Sequence, residues 1–333
     1  MRTVNFFYVS VTGLLFFLAG VESIGVCYGD VGDNLPPPND VVGLYLSKNI
    51  EAMRIYFPDH GALEALRGTN IGVIVDVANS DIPNLANDAS AAFGWVYANI
   101  VPFSNVAIRY IAVGNEIIPS DIAQFVLPAM HNIQNATNAA GLQNQIKVST
   151  SVSTGVLGVS YPPSAGAFTS DALNFLQPIV GFLSSTGAPL LANIFPYFSY
   201  IGNPSQIAIE YALFMSPGPV VTDGQLQYQN LFDAILDAFY SALEKVGAGG
   251  VRVVVSESGW PSDGGQAASP ENVQTYVQNL IGHVRKGTPK RPGNIEAYIF
   301  AMFDEDKKQP QGTENHYGIF HPNKQPKYNL NFY

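Results

Sequence analysis

Apolar residues along this chain fall into two patterns that take turns. Nearly continuous apolar runs, bounded by Gly, Pro, Asn or Asp, occupy residues 24–28, 52–57, 72–77, 109–113, 147–151, 190–195, 251–256 and 296–303. They are rich in Val, Ile and aromatics and do not alternate, which suits parallel strands buried on both faces. Between them lie stretches of helical period. Residues 39–50 open on Asn-Asp as an Asx cap and place Val42, Leu46 and Ile50 on one face. Residues 121–140 and 270–286 repeat the pattern, with Ser269-Pro270-Glu271 supplying a cap, an N1 proline and a first-turn acid. Eight strand–helix units without a dinucleotide fingerprint predict an α/β fold, a single (β/α)8 barrel. The stretch 197–250 exceeds what one helix needs and contains Pro204, Pro217-Gly218-Pro219 and Asp223-Gly224. It predicts a small insertion around the sixth unit, on the face where the strands end, with an ordinary decorated loop as the alternative.

Composition adds a leader and removes several partners. Residues 1–23 carry Arg2, then the apolar stretch 4–19, then Val21 and Ser23 at the −3 and −1 positions of a cleavage point before Ile24. This is the order of a secretory signal peptide; the rival is a membrane anchor, against which stands the lack of a following basic cluster. The rest, 24–333, reads as one catalytic domain with no Pro/Ser-rich linker. The net charge is −10, and the leader removes one residue of each sign. Such a field repels phosphate backbones and anionic lipid, so neither nucleic acid nor membrane is expected as a partner after signal removal. A neutral polysaccharide is indifferent to it. Cys27 is the only cysteine, so no intrachain disulfide forms, and in IGVCYG it reads as a small buried hydrophobe. Asn135-Ala136-Thr137 is a usable glycosylation sequon, whereas Pro204 blocks Asn203-Pro204-Ser205.

Barrel enzymes carry their reactive groups at the C-terminal ends of strands. Two predicted strands finish in glutamate: IRYIAVGNE at Glu116 and VRVVVSESGWP at Glu257. A carboxyl directly after an apolar run is partly desolvated, which raises its pKa unless a donor or cation compensates. One such Glu alone would read as an ion pair or loop cap. Two facing each other can divide the acid and base roles of glycosidic cleavage. Asn115 before Glu116 suits a hydrogen bond to a sugar hydroxyl, or an Asx turn. Tyr56, Tyr197, Phe198, Trp260 and Phe303 lie at or near strand ends and offer flat faces for pyranose rings, or core packing, Phe303 above all. Trp95, in a helical stretch, is assigned to packing. His60, His131, His283, His316 and His321 are scattered; no HExxH, Cys/His pair, GxSxG, P-loop or GxGxxG occurs, so no metal or cofactor is expected.

The blocks IGVCYG, NLPPP, MRIYFPD, AVGNE, VVVSESGWPS and AYIFAMFDED, in this order, resemble the plant endo-1,3-β-glucosidases of glycoside hydrolase family 17 over nearly all of 24–333. The resemblance implies a retaining hydrolase of β-1,3-glucans such as callose, laminarin or fungal wall glucan. Glu116 matches the proton donor and Glu257 the nucleophile. It also implies an auxiliary cluster after the eighth strand, matched by Glu305, Lys308 and Glu314. A β-1,3-1,4-glucanase shares this fold and these residues and is the enzyme alternative. An inactive glucan-binding wall protein is the other, disfavoured because both glutamates are present. A secreted monomer in the apoplast or cell wall is expected, with the vacuole second. The chain stops at Asn331-Phe332-Tyr333 without a hydrophobic tail, which speaks against a lipid anchor.

Overall fold

In the computed structural model, which describes residues 24–332, eight parallel strands close into a barrel. They are β1 (Ile24–Tyr28), β2 (Ala52–Ile55), β3 (Gly72–Val77), β4 (Ile108–Asn115), β5 (Lys147–Ser153), β6 (Leu190–Asn193), β7 (Val253–Ser258) and β8 (Ala297–Ile299). Each pairs with its neighbours in sequence, and β8 closes onto β1 through Ala297 opposite Ile24. The predicted runs and the strands correspond one to one. The sixth stops short of its predicted end because Pro196 opens a helix, Pro196–Gly202, directly after it. The leader expected over 1–23 lies outside the described residues. Among the described residues no helix is long and apolar enough to cross a membrane.

Side chains alternate along each strand, and the two sets meet different surroundings. One set, including Val26, Met53, Val73, Val75, Val113, Val148, Val253 and Val255, packs outward against the helices in one large apolar core. The other faces the barrel axis in a smaller cluster with Cys27, Ala52, Ile74, Tyr110, Ala112, Leu191, Val254 and Tyr298. At the base of the axis Glu296, almost fully buried, accepts from the Tyr110 hydroxyl at 2.9 Å, the Tyr298 hydroxyl at 3.1 Å and Arg252 at 3.1 Å. Gly25 is required beside this plug, because a Cβ there would lie 2.4 Å from the Tyr298 ring.

One local expectation fails. The first helix runs Pro38–Ser47, with Pro37 at the cap position and no capping side chain, so Asn39 and Asp40 lie inside its first turn. It buries Val41, Val42, Leu44 and Tyr45, whose hydroxyl donates to the Val26 carbonyl at 2.9 Å, and leaves Leu46 52% exposed. The long stretch after β6 contains the expected insertion. It holds the helices Pro196–Gly202 and Ile209–Ala212, a hairpin of Val221–Asp223 with Leu226–Tyr228, and the long helix Leu231–Lys245. Beyond the first of these it packs against the outer layer: Asn279 donates to the Leu213 carbonyl at 2.9 Å, Phe214 lies on Tyr276, and Asp223 accepts from Ser164. Helix Pro270–His283 also begins as expected, with Ser269 accepting from the Asn272 amide at 3.2 Å. Trp95 packs partly buried against the core, and Asn135 of the sequon is exposed on helix Val126–Ala139.

Trp260, just past β7, has no exposed surface; its ring meets Tyr197 and Tyr276, and its Nε1 donates to the Ala267 carbonyl at 2.8 Å. Trp260→Ala should therefore cost about 3–5 kcal/mol of stability, read from urea denaturation. A loss below about 1 kcal/mol would mean that the ring is not part of the core.

Candidate active site

The mouth of the barrel, at the C-terminal ends of the strands, holds a cleft of about 400 Å³. Its lining includes Glu116, Glu257, Asn115, Asn193, Tyr56 and Phe198. Glu305, Lys308 and Glu314 line it as well, on the segment that follows β8.

Each glutamate is aimed by a local break in strand regularity. At the end of β4 the register with β5 shifts between Ala112 and Asn115. Gly114 and Glu116 then both take positive φ, 95° and 57°, and the Glu116 amide donates to the Ser151 carbonyl at 2.9 Å. Left-handed backbone in a non-glycine residue persists only where surrounding bonds fix it, and such residues collect at functional sites. In β7 the register shifts between Val255 and Glu257. This irregularity breaks the alternation, so that the successive side chains of Ser256 and Glu257 both face the mouth; bulges commonly re-aim side chains in this way.

Between the two glutamates lies a network that sequence reasoning missed. Arg54 of β2 has no exposed surface. Its Nε and Nη2 donate to the two oxygens of Asp76 at 3.2 and 2.7 Å, and Nη2 also reaches Asn115 Oδ1 at 3.0 Å. Its Nη1 donates to Glu257 Oε1 at 2.9 Å, Asn193 Oδ1 at 3.1 Å and the Ser256 carbonyl at 3.3 Å. Asn193 in turn donates from Nδ2 to Glu116 Oε1 at 2.8 Å and to Asn115 Oδ1 at 3.0 Å. The Tyr56 hydroxyl donates to Glu257 Oε1 at 2.9 Å. The missed signal was period two: Arg54, Asp76 and Asn193 follow Ala52, Ile74 and Leu191 by two positions, and so face the axis with them.

Burial pushes the Glu257 carboxyl up to about 7, against the pull of Arg54. The charge of Glu116 adds to the rise, while Tyr56 and Lys308 oppose it. Lys308 is held above the ordinary lysine value: burial works against its charge, and Glu305, Glu314 and Glu257 outweigh it. It pairs with Glu305 at 3.4 Å and Glu314 at 3.3 Å and sits 4.4 Å from the centre of the Phe300 ring. The Glu305 carboxylate rests on Gly29, where a Cβ would lie 2.3 Å from it, and accepts from the Val31 amide at 3.1 Å.

The aromatic candidates divide. Tyr56 and Phe198 line the cleft, Phe198 with 42% of its surface exposed. Tyr197, Trp260 and Phe303 do not: all three are buried, which corrects their expected place on the substrate surface. Tyr197 meets Phe198 and Trp260 in edge contacts and so backs the cleft wall, while Phe303 packs edge-on to Tyr28. Two aromatics the sequence did not single out, Phe195 and Phe300, line the cleft in their place, in edge contact with one another.

The sequence profile of glycosyl hydrolases family 17 matches residues 24–332. A glucan endo-1,3-beta-glucosidase of Vitis vinifera is 55% identical over 318 residues, 94% of this chain and 92% of the relative. The basic vacuolar isoform GLB of the same enzyme from Nicotiana tabacum is 55% identical over 95% of this chain and 86% of its own length. Among solved structures, one from a study of two plant beta-glucan endohydrolases with distinct substrate specificities superposes with a TM-score of 0.90 at 50% identity, covering 93% of this chain and all of that one.

The raised pKa of Glu257 carries a sign that stability measurements can read. A carboxyl whose folded pKa lies above its unfolded value favours the folded state least once ionised. The penalty is therefore absent below about pH 4.5, grows as pH rises and is complete above about pH 7. Glu257→Gln keeps an acceptor for Arg54 and Tyr56 without the buried charge. Its stability advantage over the parent should widen from pH 4 to pH 8 by about 3 kcal/mol. A difference independent of pH would overturn this account.

Proposed function

The chain belongs to family 17 of the glycosyl hydrolases and is a glucan endo-1,3-β-glucosidase; on that premise we propose that it cleaves by double displacement, with Glu257 as nucleophile and Glu116 as acid/base. The observation that carries the proposal is that both carboxyls line one cleft and join one hydrogen-bond network through Asn193 and Arg54. Glu116 protonates the glycosidic oxygen while Glu257 attacks the anomeric carbon, forming a glycosyl ester and releasing the reducing-end fragment. Glu116 then takes a proton from water, whose oxygen attacks the anomeric carbon, breaks its bond to Glu257 and frees the carboxylate. Both donors to Glu257 converge on Oε1, which leaves Oε2 for the attack. The charges of the two glutamates are linked. With the proton on Glu116, its repulsion of Glu257 is gone, and Arg54 and Tyr56 favour the ionised Glu257 against burial alone.

Asn115 fits a role at a sugar hydroxyl. Its Oδ1 is occupied by Arg54 and Asn193, so its Nδ2 is the atom turned to substrate. Tyr56 and Phe198, with Phe195 and Phe300, offer faces to pyranose rings, and Glu305, Lys308 and Glu314 offer partners to hydroxyls. The substrate is a long β-1,3-glucan such as callose, laminarin or fungal wall glucan, and the chain works as a monomer. Signal removal before Ile24 and secretion follow from the leader. A vacuolar destination is the second reading, favoured by the vacuolar isoform among its relatives.

Laminarin should first give a mixture of oligosaccharides and be cut faster than mixed-linkage barley glucan; glucose as the sole early product would rule out internal cleavage, and preference for barley glucan would transfer the chain to the mixed-linkage class. Stereochemistry tests the glutamates. Proton NMR should show the β anomer first. Glu257→Ala should lose activity, and azide should restore it with an α-glycosyl azide product. Glu116→Ala should be crippled on laminarin, spared on activated aryl glycosides, and yield the β-azide. An initial α anomer would mean inversion and remove these roles.

A further inference from the structure

Asn193 ends β6 almost fully buried, and the catalytic assignment above uses it as a link in the network without giving it a role of its own. We propose that Asn193 is a positioning residue that decides which oxygen of Glu116 carries the catalytic proton. The inference rests on the reading of Glu116 as acid/base.

The orientation of the Asn193 amide follows from its partners. A guanidinium has donors only, so the Asn193 atom 3.1 Å from Arg54 Nη1 is the carbonyl oxygen. The same atom lies 2.8 Å from the Ser256 hydroxyl and 3.0 Å from that of Ser151. Reversing the amide would set its NH2 against Arg54, so the reversed form is excluded. The NH2 therefore faces the cleft, where it donates to Glu116 Oε1 at 2.8 Å and to Asn115 Oδ1 at 3.0 Å. An oxygen that accepts along this line has a lone pair there, and in a neutral carboxyl the carbonyl oxygen is the stronger acceptor. In its neutral form Glu116 thus carries hydrogen on Oε2, the oxygen free to meet the leaving group.

The same bond acts during proton transfer. As the proton passes from Oε2 to the glycosidic oxygen, negative charge grows on both oxygens of Glu116, and the hydrogen bond from Asn193 becomes charge-assisted. It is stronger in the transition state than in the ground state and so enters kcat instead of KM. Its weight depends on how much protonation the leaving group needs.

The test compares Asn193→Ala and Asn193→Asp with the parent enzyme on laminarin and on a dinitrophenyl β-laminaribioside. With Ala, kcat on laminarin should fall about 10- to 100-fold with KM within about threefold, while kcat/KM on the aryl glycoside changes by less than about threefold. Asp keeps the shape but sets an acceptor against Glu116 Oε1, so the loss on laminarin should be larger still. Thermal melts show whether each variant is folded. Should the Ala variant not fold, the isosteric Asp variant carries the same comparison. Equal losses on both substrates, or a change confined to KM, would reduce Asn193 to a structural role. Glu116→Ala, assayed in parallel, separates the two layers. If it shows no leaving-group split, the acid/base reading itself falls. If it splits and the Asn193 variants do not, only this inference falls.

Discussion

The mouth of this barrel is organised around one buried cation. A guanidinium without contact to water is costly, on the order of several kcal/mol, unless every donor is met and its charge is balanced. Arg54 meets both conditions by reaching β3, β4, β6 and β7 from its place on β2. Asp76 takes it in two-point fashion, and burial raises the Asp76 carboxyl while Arg54 holds it down. Most of the cation's charge is thus already answered before Glu257 is considered. Glu257 receives a single arm of the fork, enough to fix its place but not enough to cancel its burial. A carboxylate held in this way keeps its basicity. Full pairing with Arg54 would have made it a more stable anion and less suited to the proposed attack.

The barrel supports this arrangement by sorting polarity by height along its axis. At the base, Glu296 is enclosed by Tyr110, Tyr298 and Arg252, and the middle is filled by small and aliphatic side chains. Apart from Ser149 beside Ala112, polar residues return at the top, as Arg54, Asp76, Ser151, Asn193 and Ser256. The outward faces of the same strands stay apolar against the helices, and that core carries the stability without a disulfide. Rigid strands thus fix the network, while the segment after β8 brings Glu305, Lys308 and Glu314 to one wall. Asn315 fastens that segment by donating to the carbonyls of Glu305 at 2.8 Å and Lys308 at 3.1 Å.

How much of this was legible in the sequence depended on whether the signal was local. The eight strands were readable because two-sided burial leaves unbroken apolar runs, and the glutamates because they end two of those runs. The helix at Pro270 was readable from its cap. Leu46 was misplaced because periodicity gives a stripe and not its rotation; Tyr45, tied to Val26, sets the face that turns inward. Tyr197, Trp260 and Phe303 misled for a related reason. An aromatic near a strand end serves equally as a sugar platform or as the packing behind one, and only the fold separates Phe198 from the Tyr197 ring that supports it. Arg54 and Asn193 escaped notice although each breaks an apolar run at an inward position. A polar residue there can reach only other inward residues at its own height, so its presence foretells partners on the remaining strands.

The cleft's charge bears on the chemistry more than on the choice of partner. Asp30, Glu116, Glu257, Glu305 and Glu314 line it, with Lys308 as the cation among its lining residues. Among uncharged polymers this imbalance selects nothing, which is why net acidity said only what the protein avoids. The proposed transition state, however, is oxocarbenium-like and carries positive charge at the sugar ring. Carboxylates fixed around that ring by Val31, Lys308 and Arg54 need no reorganisation when the charge appears, and that is the condition under which electrostatic stabilisation is largest. Lys308 limits the cost of the crowding: it neutralises part of the wall through Glu305 and Glu314 and remains close enough to oppose the rise of the Glu257 pKa. The auxiliary cluster and the buried arginine therefore act on one quantity. That quantity is the negative charge that Glu257 can carry before the sugar arrives.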